Sequence, residues 1–180
     1  MDKRHQIILR ITTNGMVAAL YFALTMLFMT IPGISQFGPI QIRFSEFMVL
    51  LAFFRPDLTF GLSLGCFFAN MAGFFMGYTI PADMVLGTLA TALACVAEAY
   101  LARHLLVACI YPVIFNGVIV GLELYYLMGI TDFNPWVTMG LVAAGEAAAI
   151  AVGYALFMVL MRNKGFMRVL APTRHEEARF

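Results

Sequence analysis

Long apolar runs separated by short polar punctuation organise this chain. Six can be read: Gly15 to Ile31, Phe44 to Phe54, Leu58 to Tyr78, Ala82 to Leu101, Leu105 to Met128 and Trp136 to Met161. At 1.5 Å of rise per residue, all but the second are long enough to cross a ~30 Å hydrocarbon core as helices. The second needs another explanation. From Phe47 to Phe54 every residue is apolar, yet eight residues rise only about 12 Å in an α-helix. Just before them lies the polar stretch Pro39-Ile40-Gln41-Ile42-Arg43-Phe44-Ser45-Glu46. Either Arg43, Phe44, Ser45 and Glu46 extend the helix into the outer half of the membrane, or the segment breaks there. Both alternatives put polar groups in a protein-lined cavity, because neither backbone nor charge can face lipid unsatisfied. The stretch is the candidate ligand mouth.

Composition agrees with the pattern. Hydrophobic residues make up 62% of the 180, charged residues only 12%, and the mean hydropathy is +0.89, far from a soluble domain. The expected class is an all-α integral membrane protein, a single multi-pass domain over residues 1–180 with tails at 1–14 and 162–180. The first run is longer than the core of a signal peptide and no small-residue cleavage site follows it, so it is expected to stay in the mature fold.

Charge gives the orientation. With a cytoplasmic N-terminus, six spans place Lys3, Arg4, Arg10, Arg55, Arg103, Arg162, Lys164, Arg168, Arg174 and Arg179 inside and leave only Arg43 of the eleven basic residues outside. That asymmetry predicts six transmembrane helices with both termini cytoplasmic. On the same count Glu46, Asp83, Glu123, Asp132 and Glu146 fall outside or in the outer half of a span.

Several of these polar groups are candidate ligand contacts. Asn70 shares a helix face with Phe67 and Phe74. Asn116 and Glu123 are seven apart on the fifth span, with Tyr126 one turn later. Glu146 stands about ten residues inside the sixth span from Trp136, beside Ala143, Ala147, Ala149 and Gly153, which leave room next to it. Interhelical hydrogen bonding competes with ligand contact at Asn70, and helix capping is the stronger expectation at Asp83, which follows Pro81. Arg43 is expected to pair with Glu46 and shape the mouth. Glu98, near the cytoplasmic end of its span, is expected to pair with Arg103 or face a partner.

Other motifs point away from catalysis. Cys66, Cys95 and Cys109 lie singly in or beside apolar runs, without the close pairs of a zinc site. His5, His104 and His175 all map to cytoplasmic ends, so none can act as a base in the outer half. Gly61-Leu62-Ser63-Leu64-Gly65 matches G-x-S-x-G, but that elbow needs a strand-to-helix turn, and these flanks are apolar in a run of helix length. The glycines instead continue as Gly61, Gly65, Ala69, Gly73 and Gly77, small residues every fourth position that let a neighbouring helix approach closely. Gly15, Ala19 and Ala23 repeat the device on the first span, with a partner that is either internal or another subunit. No metal, cofactor, nucleic acid or catalytic residue is expected.

The candidates together describe a cavity with several carboxylates or amides, one arginine, and rings from Phe67, Phe74, Tyr125, Tyr126 and Trp136. Such a site suits a small flat molecule rich in hydrogen-bond donors or positive charge. With two lysines and no G-x-x-x-x-G-K-[ST], the chain is not its own ATPase, so active uptake needs an energising partner.

Ile42-Arg43-Phe44-Ser45-Glu46, Gly65-Cys-Phe-Phe-Ala-Asn70, Asp83-Met-Val-Leu-Gly-Thr-Leu-Ala-Thr91 and Asn116-Gly-Val-Ile-Val-Gly-Leu-Glu-Leu-Tyr-Tyr126 resemble the QueT family, and the likeness extends through Gly145-Glu146. The resemblance implies a six-helix S component of an energy-coupling factor importer that captures a 7-deazaguanine queuosine precursor. It also implies docking on a transmembrane coupling subunit with two ATPases, through the Ala19 and Ala23 stripe. Glu123 or Glu146 would read the guanine-like edge, Asn70 or Asn116 the carbonyl side, and Glu46 a cationic substituent. No residue chooses among the cyano or aminomethyl precursor, queuine or the nucleoside. The alternatives are an S component for another vitamin-like molecule, a stand-alone facilitator, or an intramembrane enzyme with Asp83, Glu123 or Glu146 as acid and base.

Overall fold

A computed structural model describes residues 3–29, 31, 41–163, 165 and 170. Among them every regular element is helical. Helix α1 spans Lys3–Met29. A 3-10 helix, Phe44–Leu50, runs into α2, Leu51–Phe54. A second 3-10 turn, Pro56–Leu58, leads into α3, Thr59–Phe75. Then follow α4, Pro81–Leu101, the short α5, Leu105–Ala108, α6, Ile110–Tyr126, and α7, Pro135–Leu160.

Among the described residues five helical stretches are long and apolar enough to cross a membrane: Lys3–Met29, Pro56–Phe75, Pro81–Leu101, Leu105–Tyr126 and Pro135–Leu160. The sixth apolar segment is the shorter Phe44–Phe54. Its bounds are those read from the sequence; helix begins at Phe44 and includes Ser45 and Glu46, while Arg43, expected in the same extension, stays outside it. Seven 3-10 residues rise about 2 Å each, so the whole segment reaches about 20 Å, longer than an α-helix of that length but short of a full span. The expected tail at 1–14 is helical from Lys3 onward as part of α1. Pro39 and Ile40, His175 and most of the 162–180 tail lie outside the described residues.

Local chemistry sets the helix boundaries. Pro81 and Pro135 open α4 and α7 at first-turn positions, where a missing N–H costs nothing. Asn134 caps α7, its side chain accepting from Val137 N at 2.9 Å. The interruption at Cys109 falls beside Ala108, whose carbonyl would meet the ring of Pro112 in a continuous helix. Helix α3 ends in a Schellman motif. Gly77, at φ +80°, donates to the Phe74 carbonyl, and Tyr78 N donates to Gly73 O, both at 2.9 Å. Gly77 thus closes the helix and is not the last member of its small-residue stripe.

The remaining stripe seats α1. A Cβ on Gly65 would stand 2.8 Å from Tyr21 Cβ and 2.9 Å from the Ala18 carbonyl, and one on Gly61 would stand 2.6 Å from Asn14 O. The Gly61 N–H donates to Asn14 Oδ1 at 2.6 Å. Ser63, in the middle of this continuous helix, donates to Thr59 O at 2.8 Å, which removes the strand-to-helix turn that a nucleophile elbow requires. Helix α1 buries only Ala18, Tyr21 and Thr25, while Gly15, Ala19 and Ala23 face outward. The first-span stripe therefore has no partner within the described chain. A groove of about 650 Å³ runs beside it, lined by Gly15, Ala19, Phe22, Leu64, Phe68 and Met71 among others.

Candidate functional site: a buried acceptor-rich chamber

Polar side chains from five elements are buried inside this apolar bundle. Glu46 is fully buried, and Asn70, Asn116, Asp83, Glu123 and Glu146 are each at most 3% exposed. The 3-10 helix brings Glu46, α3 brings Asn70, α4 Asp83, α6 Asn116 and Glu123, and α7 Glu146. The carboxylates interact electrostatically: Glu123 with Asp83 and Arg43, and Glu146 with Glu46, Arg43 and Glu98.

Arg43 Nη2 lies 3.3 Å from Asp83 Oδ2. Thr79 donates to the same carboxylate oxygen at 2.8 Å, and Asn70 Nδ2 donates to the Asp83 carbonyl at 3.0 Å. The expected Arg43–Glu46 pair does not form. Arg43 precedes the helix, with φ −86° and ψ 88°, so it does not share a helical face with Glu46. Asp83 sits in the first turn of α4, as expected, with Oδ2 held by Arg43 and Thr79 and Oδ1 without a hydrogen-bond partner. Asn70 makes the interhelical bond that competed with ligand contact in the sequence.

Glu46 has its own partners, none of them apparent in the sequence. Its Oε1 accepts from the Tyr21 hydroxyl and from Thr91 Oγ1 at 3.2 Å. Thr25 donates to the Tyr21 carbonyl at 3.1 Å and lies 2.7 Å from the Ser45 hydroxyl. One signal pointed to these residues. On α4 the positions Asp83, Gly87, Thr91 and Glu98 keep helical spacing, and on α1 Asn14, Ala18, Tyr21 and Thr25 do the same, so each row marks the inward face of its helix.

Several of these polar atoms have no hydrogen-bond partner among the described residues, and most of them are carboxylate oxygens. Glu46 Oε2, Asp83 Oδ1, both oxygens of Glu123, Glu146 Oε1 and both polar atoms of Asn116 are buried without a hydrogen-bond partner. Unmatched buried acceptors of this number are costly inside a protein, and in membrane proteins they mark ligand sites. Among the described residues no three His, Cys, Asp or Glu side chains are placed to hold a metal ion.

Not every candidate joins the group. Phe67 and Phe74 are half-buried and pair with Phe68 and Phe75, with ring centroids 5.8 and 5.4 Å apart. Tyr126 and Trp136 are 68% and 77% exposed and lie on the outside of the bundle. Tyr126 ends α6 and Trp136 is the second residue of α7, positions where aromatic rings suit a membrane interface. Glu98 is fully buried with both carboxylate oxygens unpartnered, so it neither pairs with the exposed Arg103 nor faces a partner.

The profile of the QueT transporter family matches residues 11–162, which takes in every polar residue of the chamber. The chain belongs to the QueT transporter family. QueT membership makes it a transporter and not an enzyme, and its membrane-length helices make it a multi-pass membrane protein. A queuosine precursor transporter, QueT, of Lactococcus lactis subsp. cremoris is 39% identical over 83 residues, 45% of this chain and 44% of that protein. The match thus spans less than half the length of this curated relative. It does not extend to known structures, since no solved structure matches.

Proposed function

We propose that this QueT-family chain is the substrate-binding S component of an energy-coupling factor importer, capturing a 7-deazaguanine queuosine precursor from outside. The carrying observation is the set of buried carboxylate oxygens without hydrogen-bond partners, those of Glu46, Asp83, Glu123 and Glu146. A 7-deazaguanine supplies the missing donors along its edge, from its ring N–H groups and exocyclic amine. Glu123, with two free oxygens, accepts a parallel pair of N–H groups in a bidentate way. Glu146 and Glu46, each with a free oxygen, are the acceptors for an aminomethyl substituent, which adds a cation and further donors. A cyano substituent brings only an acceptor to a place already crowded with them. The site therefore favours the aminomethyl precursor over the cyano one, and the queuosine precursor named for the Lactococcus relative supports this substrate class.

The chain crosses the membrane six times with both termini in the cytoplasm, the short Phe44–Phe54 segment counting as one crossing. The outward-facing Gly15, Ala19 and Ala23 stripe of α1, with the groove beside it, is the surface that meets the coupling subunit. Two ATPases on that subunit drive release inside. Calorimetric titration of the purified chain with both 7-deazaguanine precursors, queuine, guanine, thiamin and riboflavin tests the reading. Binding of a deazaguanine, strongest for the aminomethyl form, is expected. Preference for thiamin or riboflavin would transfer the same fold to another vitamin-like ligand, and uptake by the chain alone in liposomes would make it a facilitator.

A further inference from the structure

Glu46 is the most enclosed carboxylate of the chamber, and its two oxygens are treated differently. Oε1 accepts from the Tyr21 and Thr91 hydroxyls, whereas Oε2 has no partner. Two donors on one oxygen fix the plane of the carboxylate and leave the other oxygen aimed and free. Tyr21 is only 1% exposed. Its backbone is held by the close contact of Tyr21 Cβ with Gly65 and by Thr25, which donates to its carbonyl. The phenol therefore has little freedom to leave Glu46.

We infer that Tyr21 is a positioning residue for ligand recognition, holding Glu46 so that Oε2 alone is presented to the bound molecule. This rests on the reading of the chamber as the ligand site. Tyr21 does not touch the ligand; it acts through Glu46. Because the same helix carries Gly15, Ala19 and Ala23 on its outward face, any partner that shifts α1 also loosens the hold on Glu46.

The test uses Tyr21→Phe, which deletes only the hydroxyl and keeps the ring packed against α3. A misaimed Oε2 loses its hydrogen bond to the ligand, which at the usual worth of a bond to a charged group is a tenfold or larger loss of affinity for the aminomethyl precursor. In a Glu46→Gln background the same substitution is expected to cost no further affinity, because the group through which it acts is gone. A ligand-free arm runs alongside. The infrared carboxyl band of Glu46, isolated by subtracting the Glu46→Gln spectrum, shifts in Tyr21→Phe if the hydroxyl orients it. An unmoved band, or a Tyr21→Phe loss that persists undiminished in the Glu46→Gln background, overturns the inference. If the wild-type chain binds no deazaguanine, the functional reading fails while the infrared arm still decides whether Tyr21 sets Glu46.

Discussion

Gly65→Ala is expected to lower the thermal midpoint of the protein, whereas Gly15→Ala is expected to raise it. Both substitutions place one methyl group on a helical glycine, and in a helix alone each would stabilise by roughly 0.5–1 kcal/mol. The surroundings separate them. At Gly15 the new Cβ meets nothing within 4 Å, so the full helix gain is kept. At Gly65 it stands 2.8 Å from Tyr21 Cβ, 2.9 Å from Ala18 O and 3.1 Å from Ala18 Cα. Two of those three atoms belong to the α1 backbone, so no rotamer change relieves the contact, and α1 must move off α3 by about 1 Å. Overpacking of this kind costs about 1–3 kcal/mol, which exceeds the helix gain over most of that range. At about 2–4 °C per kcal/mol for a chain of this size, the two variants should diverge by several degrees in opposite directions. Detergent-solubilised protein, scanned at one heating rate, gives the comparison. A midpoint raised equally in both variants would refute the seating of α1 on α3, and with it the route by which Tyr21 reaches Glu46.

Three further perturbations follow from the same geometry. Arg43→Met leaves the Asp83 carboxylate buried with Thr79 and should destabilise by about 3–5 kcal/mol, most of it recovered in Arg43→Met/Asp83→Leu; denaturation midpoints of the two variants decide this. Glu98→Leu removes two unpartnered buried oxygens and should raise the thermal midpoint while leaving ligand affinity unchanged, and a loss of binding would draw Glu98 into the site. Ala19→Trp on the outward face of α1 should abolish uptake in cells carrying the complete importer yet spare ligand binding by the isolated chain; loss of binding would make the stripe internal packing.

Long hydrophobic runs made the helices legible, down to the bounds of the short Phe44–Phe54 segment, because lipid tolerates few departures from apolar sequence. The buried carboxylates and amides were legible for the same reason, each being costly unless used. Partner choice was not. Tyr21 and Glu46 are 25 residues apart and Arg43 and Asp83 are 40 apart, so only the packing of α1, α4 and the 3-10 segment brings them together. Hydroxyls such as Thr91 go unnoticed because a serine or threonine in a membrane helix can satisfy itself on its own backbone, as Ser63 does. Tyr126 shares the spacing of Asn116 and Glu123 but ends its helix and is exposed.

The most direct measurement is calorimetric titration of the aminomethyl 7-deazaguanine into the wild-type chain and into Glu123→Gln and Glu146→Gln. Loss of a hydrogen-bonded charge at the ring edge or substituent should weaken binding at least tenfold in each variant, with folding preserved. Affinity unchanged in both variants would contradict the buried acceptor chamber as the place where this transporter holds its substrate.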